Sequence, residues 1–560
     1  MHRKSDYENG GGLIFLSLIS VAKTAGVSRY GDGPCRPLRA RLARAFLGVV
    51  AAVFPLAGLA QGATIVPPEQ ARVLRFGINE IRIEGNTLVP DAMLQAAVNP
   101  YIGFNRSIDD LSAVKQAILD VYRRLGYELL TVSYQANRSR AGTHYFVVRE
   151  LRIGKVRVTG NSALTENEIR RELPSLVEDT APHLRQLARE LFLFNDNPGR
   201  TALLQYSSGV PGTSDVEIKI AEQPQFTKAL TFNNTGTAAT GRARIGLHAA
   251  HSNFLGRSDQ LAASVTTSDR PSHVLQTAFS YLMPLPSLGD SVQLSASYSD
   301  ADSGRVADLF NVSGKGTIWG AHYLHNLRRD ARSRHVLDIG YEERRFRDVV
   351  DFSGTNLGVS VTARPLILGY RYSRSAEGQN LSLGIALQQN LPGGGRNDNA
   401  TYAASRAGAT ARWKSWQFDG SWQRELSSGW MPAARFAAQY AGKPLIAAEQ
   451  FGLGGQRAIR GFDEREAAGD RGWRANFEIY GPRFGENQRL LGFVDYGGST
   501  RLNPLLGELA GQHLASFGVG WRAQIKKDLS ISADGASVIH GTTRHSRGHK
   551  SLHISASYSF

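Results

Sequence analysis

Apolar residues follow two different spacings along the chain, and the change falls near residue 226. Upstream, Leu111, Val114, Ile118, Val121 and Leu125 recur at helical spacing, so residues 108–125 are predicted to form an amphipathic helix. Downstream, apolar and polar residues alternate over short stretches that Gly, Asn, Asp and Ser separate, which predicts β-strands. We therefore expect small α+β units followed by a long all-β region.

A pattern of about 75 residues occurs twice before residue 226. IRIEGN at 81–86 and VRVTGN at 156–161 each form an alternating strand that ends at a Gly-Asn turn signal. A short helix (90–98; 165–173), a longer helix and two strands (129–135 with 143–150; 201–207 with 214–221) follow in both copies. The second long helix is marked by an apolar stripe of Leu184, Leu187, Leu191 and Phe194.

These repeats predict two domains, at residues 77–150 and 151–223, with the order β-α-α-β-β. Ser107 and Asp110 predict a capping box for the first long helix, and Gly126 predicts its end. A chance likeness between two generic α+β units is the alternative.

Alternation continues from residue 227 to 560 and favours a membrane barrel. In residues 242–250, Ile245 and Leu247 share one face, while Arg244 and His248 lie on the other. A wide barrel turns such an apolar face to lipid and the polar face to a watery lumen, whereas a sandwich packs its apolar faces together. Strands of about 10 residues with equal connections give roughly 16 strands, too many for an ordinary sandwich.

The C-terminal stretch, SLHISASYSF, is one more alternating strand and ends on an aromatic residue. It resembles the terminal strand by which outer-membrane barrels are recognised for insertion. That resemblance assigns the terminal signal to Tyr558 and Phe560.

The N-terminus is typical of a secretory leader. RPLRARLAR at 36–44 precedes the apolar stretch AFLGVVAAVFPLAGLA at 45–60, so residues 1–62 are predicted to be removed and 63–76 to form a short N-terminal segment. The part before residue 34 is explained equally well by a start site assigned too early or by an unusually long leader.

Composition narrows the classes of function. The only cysteine, Cys35, lies in the predicted leader, which excludes a disulfide scaffold or thiolate metal cluster in the mature chain. The net charge of +16 comes without a nucleic-acid-binding motif, so no nucleic acid is expected as a partner. G-x-S-x-G and H-E-x-x-H motifs are also missing. We expect no catalytic residue, no cofactor and no metal, and therefore no enzyme.

One glycine-rich segment stands out inside the all-β region. Residues 449–462 read EQFGLGGQRAIRGF, and GFVDYGG follows at 492–498. The glycines do not have the spacing of a phosphate-binding loop. The segment resembles loop six of the two-partner secretion transporters (the TpsB family of ShlB, FhaC and HecB), with Ile459 in place of the valine of the V-R-G-[FY] motif. GFVDYGG matches the F-x-D-x-G strand motif of that family.

This resemblance covers nearly the whole mature chain and implies a candidate site within the loop-six segment, 449–470, and its partner strand. Arg460 would pair with Asp495. The flanking residues of the two motifs would be Gly461, Phe462, Phe493 and Gly497, and loop-six support would come from Glu449, Gln450, Phe451, Gly454 and Gly455.

The resemblance also implies a fold and a function. The fold is a membrane barrel of about 16 antiparallel strands behind two periplasmic POTRA domains, located in the bacterial outer membrane. The POTRA domains would bind an unfolded TpsA-like exoprotein, such as a large β-helical haemolysin, adhesin or contact-dependent toxin, and the barrel would conduct it. Implied further partners are the bilayer with its lipopolysaccharide, periplasmic chaperones and the barrel assembly machinery.

Two other membrane functions remain as alternatives. An insertase of the same superfamily, resembling BamA or TamA, would carry more POTRA copies than two, and a passive porin would lack the repeat. Family members usually begin with a plug helix and a long linker, for which the segment from about residue 64 to 76 leaves little room.

Overall fold

A computed structural model describes residues 74–560, apart from 238–239, 271–273, 301–303, 307–309, 313–314, 330–331, 348–350, 353–354 and 357. The predicted leader with Cys35, most of the 63–76 segment and any plug helix within it lie outside the described residues. Among the helices that are described, none is both long and apolar enough to cross a membrane.

The first α+β domain packs two helices against a small sheet. Its elements are β1 (Phe76–Ile78), β2 (Glu80–Glu84), α1 (Asp91–Val98), a 3-10 turn (Asn99–Tyr101), β3 (Gly103–Arg106), α2 (Ile108–Leu125), β4 (Leu130–Tyr134) and β5 (Thr143–Glu150). β5 lies in the centre of the main sheet, parallel to β2 and antiparallel to β4. The β1–β3 pair is an addition to the predicted order.

Helix α2 begins and ends where the sequence predicts. Asp110 accepts hydrogen bonds from the backbone N–H of Ser107, at 2.7 Å, and from its hydroxyl, which satisfies an amide that the helix leaves unpaired. Gly126 ends the helix with a φ of 91°, a conformation that a side chain would penalise. Val114 and Ile118 are fully buried, so the predicted stripe is the face that packs in the core.

The second α+β domain repeats this topology. It contains β6 (Arg152–Thr159), α3 (Glu166–Glu172), α4 (Leu184–Asn195), β7 (Arg200–Ser208) and β8 (Thr213–Glu222). β8 lies between β6, to which it is parallel, and β7, to which it is antiparallel. Of the predicted stripe, Leu187 and Phe194 are buried in the core of this domain, while Leu184 and Leu191 are partly buried and pack against that core.

A glutamate fixes the turn that precedes the first helix in both domains. Glu150 accepts hydrogen bonds from the Thr87 and Leu88 amides and from the Tyr122 hydroxyl. In the second domain, Glu222 takes the same role for the amides of residues 162–164. Burial alone would raise the pKa of Glu150, but these hydrogen bonds outweigh it and hold that pKa below its usual range.

The all-β region forms a closed antiparallel barrel of sixteen strands within the part of the chain that the structure describes. In order, they are β9 (Phe226–Asn233), β10 (Arg244–His251), β11 (Gln260–Ser268), β12 (Leu275–Leu285), β13 (Asp290–Ser299), β16 (Lys315–Arg329), β17 (Ser333–Arg347), β20 (Val361–Ala363) continuing as β21 (Pro365–Ala376), β22 (Gln379–Asn390), β23 (Lys414–Arg424), β24 (Met431–Ala441), β27 (Arg471–Tyr480), β28 (Gln488–Thr500), β29 (Gly511–Ile525), β30 (Leu529–His540) and β31 (Lys550–Ser559).

Smaller elements lie in the long connections between these strands. They are the pairs β14 (Gly304–Val306) with β15 (Phe310–Val312), β18 (Asp351–Phe352) with β19 (Thr355–Asn356), and β25 (Phe451–Leu453) with β26 (Ala467–Gly469), together with helix α5 (Asn399–Ser405) and a 3-10 turn (Ala447–Glu449).

The barrel has an apolar outer face and a polar inner face. Ile245, Leu247 and Val519 are among the exposed apolar side chains, at 46%, 53% and 71%. Arg244 and Asp338, on the opposite face of their strands, are buried. The alternation predicted from residue 227 onward therefore corresponds to a sheet whose apolar face points outward, as a barrel in lipid requires.

Strand β31 closes the barrel against β9. Five residue pairs, from Ser555 with Asn233 to Ser559 with Ala229, form this ladder among the described residues. The Asn234 side chain extends it by donating to the Leu552 carbonyl and accepting from the Ile554 amide.

The second domain is seated on the turn between β10 and β11. Arg200 pairs with Glu172, both nearly fully buried, and the Ser258 hydroxyl donates to the same glutamate. Asn197 donates to the carbonyls of Ser252 and Ser258. These contacts identify the barrel end with the short turns as the one that carries the domain; the long connections lie at the other end.

Candidate functional site: a loop locked inside the barrel

The site is built by the connection between β24 and β27, residues 442–470, hereafter loop six. The short ladder of β25 with β26 holds its two arms together. Its tip turns into the lumen, where Ile459 and Phe462 are buried against Leu514 and Val538 on the inner face of the barrel. An apolar wedge thus anchors the loop on the inner wall formed by β29 and β30.

Arg460, the arginine singled out by the motif, lies against Asp495 at the centre of this contact. Its Nε and one terminal nitrogen each donate to a different carboxylate oxygen at 2.7 Å. Its backbone N–H donates to the same carboxylate at 3.0 Å. The guanidinium also lies over the Phe493 ring, 3.5 Å from the ring centre. The planar fork of arginine suits this two-pronged contact and lysine does not.

Two further acids, which the motif does not indicate, complete the surroundings of Arg460. Glu478 on β27 lies 2.8 Å from its guanidinium, and Asp534 on β30 lies 3.5 Å from it. Each acid has a second arginine, Arg435 for Glu478 and Arg522 for Asp534, both at 2.9 Å. Three arginines therefore neutralise three carboxylates, and the cluster can stay ionised inside the barrel.

Asn476 links the same cluster to the loop backbone. Its side-chain amide donates to the Ala458 carbonyl and to Asp495, at 2.5 and 2.8 Å. Asn476, Glu478 and Asp534 all occupy inward-facing positions of their strands, so the alternation of side chains along each strand is the signal that could have placed them in the lumen. Alternation alone does not indicate which of the many inward-facing polar residues contact one another.

Two of the motif glycines permit the close approach. Gly461 has a φ of +98°, and a side chain there would meet Val538 at 3.2 Å. At Gly497 a side chain would come within 2.6 Å of the Trp473 carbonyl oxygen and 3.0 Å of Ile459. The pairing of Arg460 with Asp495 therefore needs glycine at both positions.

The last strand also contacts the tip of loop six. The Gly461 amide donates to His553 at 3.0 Å, and the Ser551 hydroxyl donates to the Gly461 carbonyl at 3.2 Å. Both residues belong to β31, the strand that closes the barrel. Sequence reasoning missed this contact, because an alternating strand gives no sign of which loop it meets.

The predicted support residues separate into distinct contacts. Glu449 is buried and pairs with Arg344 on β17 at 2.6 Å. Gln450 donates to Asp470 at 3.3 Å, and Phe451 begins β25 and packs at the edge of the apolar wedge.

Gly454 and Gly455 both adopt positive φ, at +97° and +107°. A side chain at Gly454 would come within 2.4 Å of the Asp463 carbonyl oxygen, and one at Gly455 within 2.2 Å of the Glu464 carboxylate. These two residues therefore shape the turn by which the loop doubles back on itself.

Asp470, at the base of loop six, joins several of the long connections. It is fully buried and accepts hydrogen bonds from Arg406, which lies just after α5. It also accepts from the amides of Leu445 and Leu502, at 2.8 and 2.6 Å. One carboxylate thus joins loop six to the connections 391–413 and 501–510.

The terminal aromatics lie away from the lumen. Tyr558 and Phe560 are exposed and stack with ring centres 5.8 Å apart. The Phe560 amide donates to the Lys228 carbonyl on β9 at 3.0 Å. Their exposure places them on the outer face of the barrel.

Two family models match the chain. Residues 212–523 match the model described as haemolysin secretion/activation protein ShlB/FhaC/HecB. Residues 76–149, the first α+β domain, match the model of the ShlB-type POTRA domain.

Individual relatives agree with these models. The heme/hemopexin transporter protein HuxB of Haemophilus influenzae is 22% identical over 432 residues, 76% of either chain. The outer membrane transporter CdiB of Dickeya dadantii is 24% identical over 420 residues, 71% of either chain. The solved structure of CdiB from Escherichia coli superposes with a TM-score of 0.72 at 20% identity, over 89% of this chain and 93% of that one.

Proposed function

Because the chain belongs to the haemolysin secretion/activation family of ShlB, FhaC and HecB, we propose that it secretes one large exoprotein across the outer membrane, through a lumen that loop six closes at rest. The observation that carries this is a closed barrel whose interior holds a loop by a balanced set of ion pairs. Ion pairs in a polar lumen can be exchanged for water or for an entering chain, which a dry core would not allow.

The barrel lies in the outer membrane, and its α+β domains face the periplasm. The outer apolar face meets lipid, and the second domain is seated at the short-turn end. The long connections therefore face the outside, and loop six enters the lumen from that side.

The two POTRA domains would receive the unfolded partner by adding it as a strand. In the second domain, β7 is an edge of the sheet, since it pairs with β8 on one side. Leu203 and Tyr206 on β7 are 58% and 42% exposed. Backbone hydrogen bonds along such an edge give affinity with little demand on sequence, and exposed apolar side chains supply the pockets.

Transit then requires loop six to leave its position. The Arg460 cluster and the apolar wedge of Ile459 and Phe462 would separate together, and the lumen would open past β27, β28 and β30. The sequence has no nucleotide-binding motif, so folding of the exported chain outside the cell would give transit its direction.

Partner identity follows from chemistry and from the relatives. An exoprotein that emerges unfolded and folds outside fits a large β-helical haemolysin, adhesin or contact-dependent toxin. Two relatives are named as transporters, the heme/hemopexin transporter protein HuxB and the outer membrane transporter CdiB, which supports a transport function without naming the cargo of this chain. Periplasmic chaperones, the barrel assembly machinery and lipopolysaccharide would serve assembly of the barrel. The function needs no catalytic residue and no cofactor.

Co-expression with the product of a neighbouring gene, if that gene encodes a very large, β-rich secreted protein, tests the proposal. We expect the partner in the medium when both genes are present, and in the periplasm when the transporter is missing. The insertase alternative predicts a different result, namely a fall in the levels of unrelated outer-membrane barrels on deletion. Normal secretion without the transporter would refute the proposal.

A further inference from the structure

Three metal-ligand side chains converge just beyond the loop-six motif. Asp463 and Glu466 belong to loop six, and His545 belongs to the last long connection, residues 541–549. One donor atom from each lies within 4.8 Å of the others, and His545 Nδ1 is 2.5 Å from a Glu466 oxygen. All three residues are half-buried. Glu466 and His545 lie 79 positions apart in the sequence, so the group joins two separate loops.

A second imidazole lies beside this group. The His549 ring centre is 4.4 Å from that of His545, so a further potential nitrogen ligand lies next to the three. Two carboxylates and one or two imidazoles are the donor set of zinc and of similar divalent transition metals, whereas calcium and magnesium prefer oxygen donors throughout.

Neighbouring groups hold the carboxylates in place. The Asp463 amide donates to Glu466 at 3.0 Å, and the Thr542 hydroxyl donates to the other Glu466 oxygen. The His545 amide donates in turn to the Thr542 hydroxyl at 3.1 Å. Ligands that are oriented by such outer contacts lose less freedom when a metal binds.

Charge distinguishes a metal site from a simple ion pair of Glu466 with His545. A second carboxylate, Asp463, lies within the same 4.8 Å, and two carboxylates this close repel each other. Arg544 contacts Asp463 at 3.1 Å, but its side chain is 62% exposed, so solvent weakens this pair. A divalent cation between the acids would balance them more fully.

We propose that Asp463, Glu466 and His545 bind one divalent transition-metal ion, with His549 or a water molecule as fourth ligand, and that the ion fastens loop six to the last long connection. Since Phe462 directly precedes Asp463 and Arg460 lies three positions before it, the ion holds one end of the segment that enters the lumen. This rests on the loop geometry and is independent of what the barrel transports.

Zinc binding to the full-length protein in detergent micelles tests the site. After removal of metal with a chelator, we expect one Zn²⁺ per chain in the wild type. His545→Gln and Glu466→Gln should each weaken the affinity by about tenfold or more. His540→Gln, which changes an exposed histidine at the end of β30, should bind zinc as the wild type does. A heat-induced shift in electrophoretic mobility verifies that each variant is a folded barrel.

The binding result has clear contrary outcomes. No bound zinc in the wild type, equal affinity in His545→Gln, or an equal loss in His540→Gln would each overturn the site.

Hydrogen exchange tests the fastening of loop six. With zinc present, amides of residues 456–466 should exchange more slowly in the wild type, and zinc should have no such effect in His545→Gln. Unchanged exchange in a zinc-bound wild type would overturn the fastening. Because neither readout needs a secreted partner, a failure here is distinguishable from a failure of the transport proposal.

Discussion

Arg460 is the side chain on which loop six and three barrel strands converge. Asp495, Glu478 and Asp534 reach it from β28, β27 and β30. Removing it would leave these acids with two arginines. The loop tip would then lose the contacts that hold it against the barrel wall.

Arg460→Ala is expected to insert into the outer membrane normally and to lose most of its secretion activity. Loss of one partner from a buried charge cluster costs about 3–5 kcal/mol, less where water enters. Arg460→Lys should restore little, because an ammonium cannot meet both Asp495 oxygens as the guanidinium does. Secreted partner in the medium, relative to barrel in the membrane, measures the effect.

Arg347→Ala, at an exposed arginine of β17, is the matched control and should secrete normally. Wild-type secretion by Arg460→Ala would remove the proposed role of the arginine.

Glu150 offers a prediction about pH. Its hydrogen bonds need the ionised carboxylate, and its pKa is lowered in the folded domain. The stabilisation is therefore present above the unfolded-state pKa, near 4.3, and is lost as the pH falls through the lower folded-state pKa. Glu150→Ala should cost about 1–2 kcal/mol at neutral pH, because four donors on Thr87, Leu88 and Tyr122 lose their acceptor.

Hydrogen-exchange protection of residues 81–98 in the full-length protein, followed from pH 7 to 3, measures this. Protection should fall with acid in the wild type and in the control Glu128→Ala, an exposed glutamate. It should be low and nearly flat in Glu150→Ala. A wild type whose protection does not change with pH would contradict the assignment.

At this scale, sequence anticipates contacts that a local rule or a family motif specifies. Ser107 with Asp110, Gly126, and Arg460 with Asp495 are of this kind, and the structure places each pair in contact. The functional role of Arg460 stays a prediction. The contacts of Glu478, Asp534 and His553 with loop six were not predicted, because they depend on the stagger of strands that lie far apart in the chain. The same holds for Asp463 and His545, where no metal was expected from sequence.

Single elements differ in how strongly the sequence predicts them. Helix α2 has an unbroken apolar stripe and both end signals, and its bounds agree with the prediction. Strand β3 has four residues with exposed Phe104 between Gly103 and Asn105, so it lacks the alternation that would reveal it. Helix α5 is a seven-residue element in a connection, too short for a periodic signal.

Asp470 shows how elements outside the barrel wall depend on one group. Asp470→Ala is expected to loosen the connections 391–413 and 501–510, because Arg406 and the Leu445 and Leu502 amides lose a buried acceptor. The local cost should be about 3–5 kcal/mol. Faster hydrogen exchange in those two connections measures it.

Asp528→Ala, in an exposed short turn between β29 and β30, is the control for this variant. Equal exchange in Asp470→Ala and in the wild type would show that the long connections hold together without this carboxylate.

For the whole molecule, length and alternation were enough to predict sixteen strands, because strand length is limited by the thickness of the bilayer. They were not enough to predict how the ends meet. The closing ladder of β31 with β9 is short, and the side chain of Asn234 extends it. A side chain that substitutes for backbone pairing carries no pattern along the chain.

Deletion of Phe560 is expected to lower the amount of barrel in the outer membrane several-fold. The residue is exposed at the end of the closing strand and touches β9 through its backbone amide, so its loss removes both an exposed aromatic and a hydrogen bond of the seam. Fractionated membranes measure the effect. Phe484→Ser, at an exposed aromatic in a short turn, should assemble normally, and normal assembly without Phe560 would refute the terminal signal.

The balance of three arginines and three carboxylates around Arg460 has a consequence for the ion selectivity of the pore. When the arginine withdraws with its loop, the wall that it leaves retains Asp495, Glu478 and Asp534 against Arg435 and Arg522, an excess of one negative charge at the narrowing. An opened pore should then pass potassium more readily than chloride. Single-channel currents of Arg460→Ala under a salt gradient should reverse on the cation side, whereas an anion-side reversal would mean that other wall charges govern the conduit.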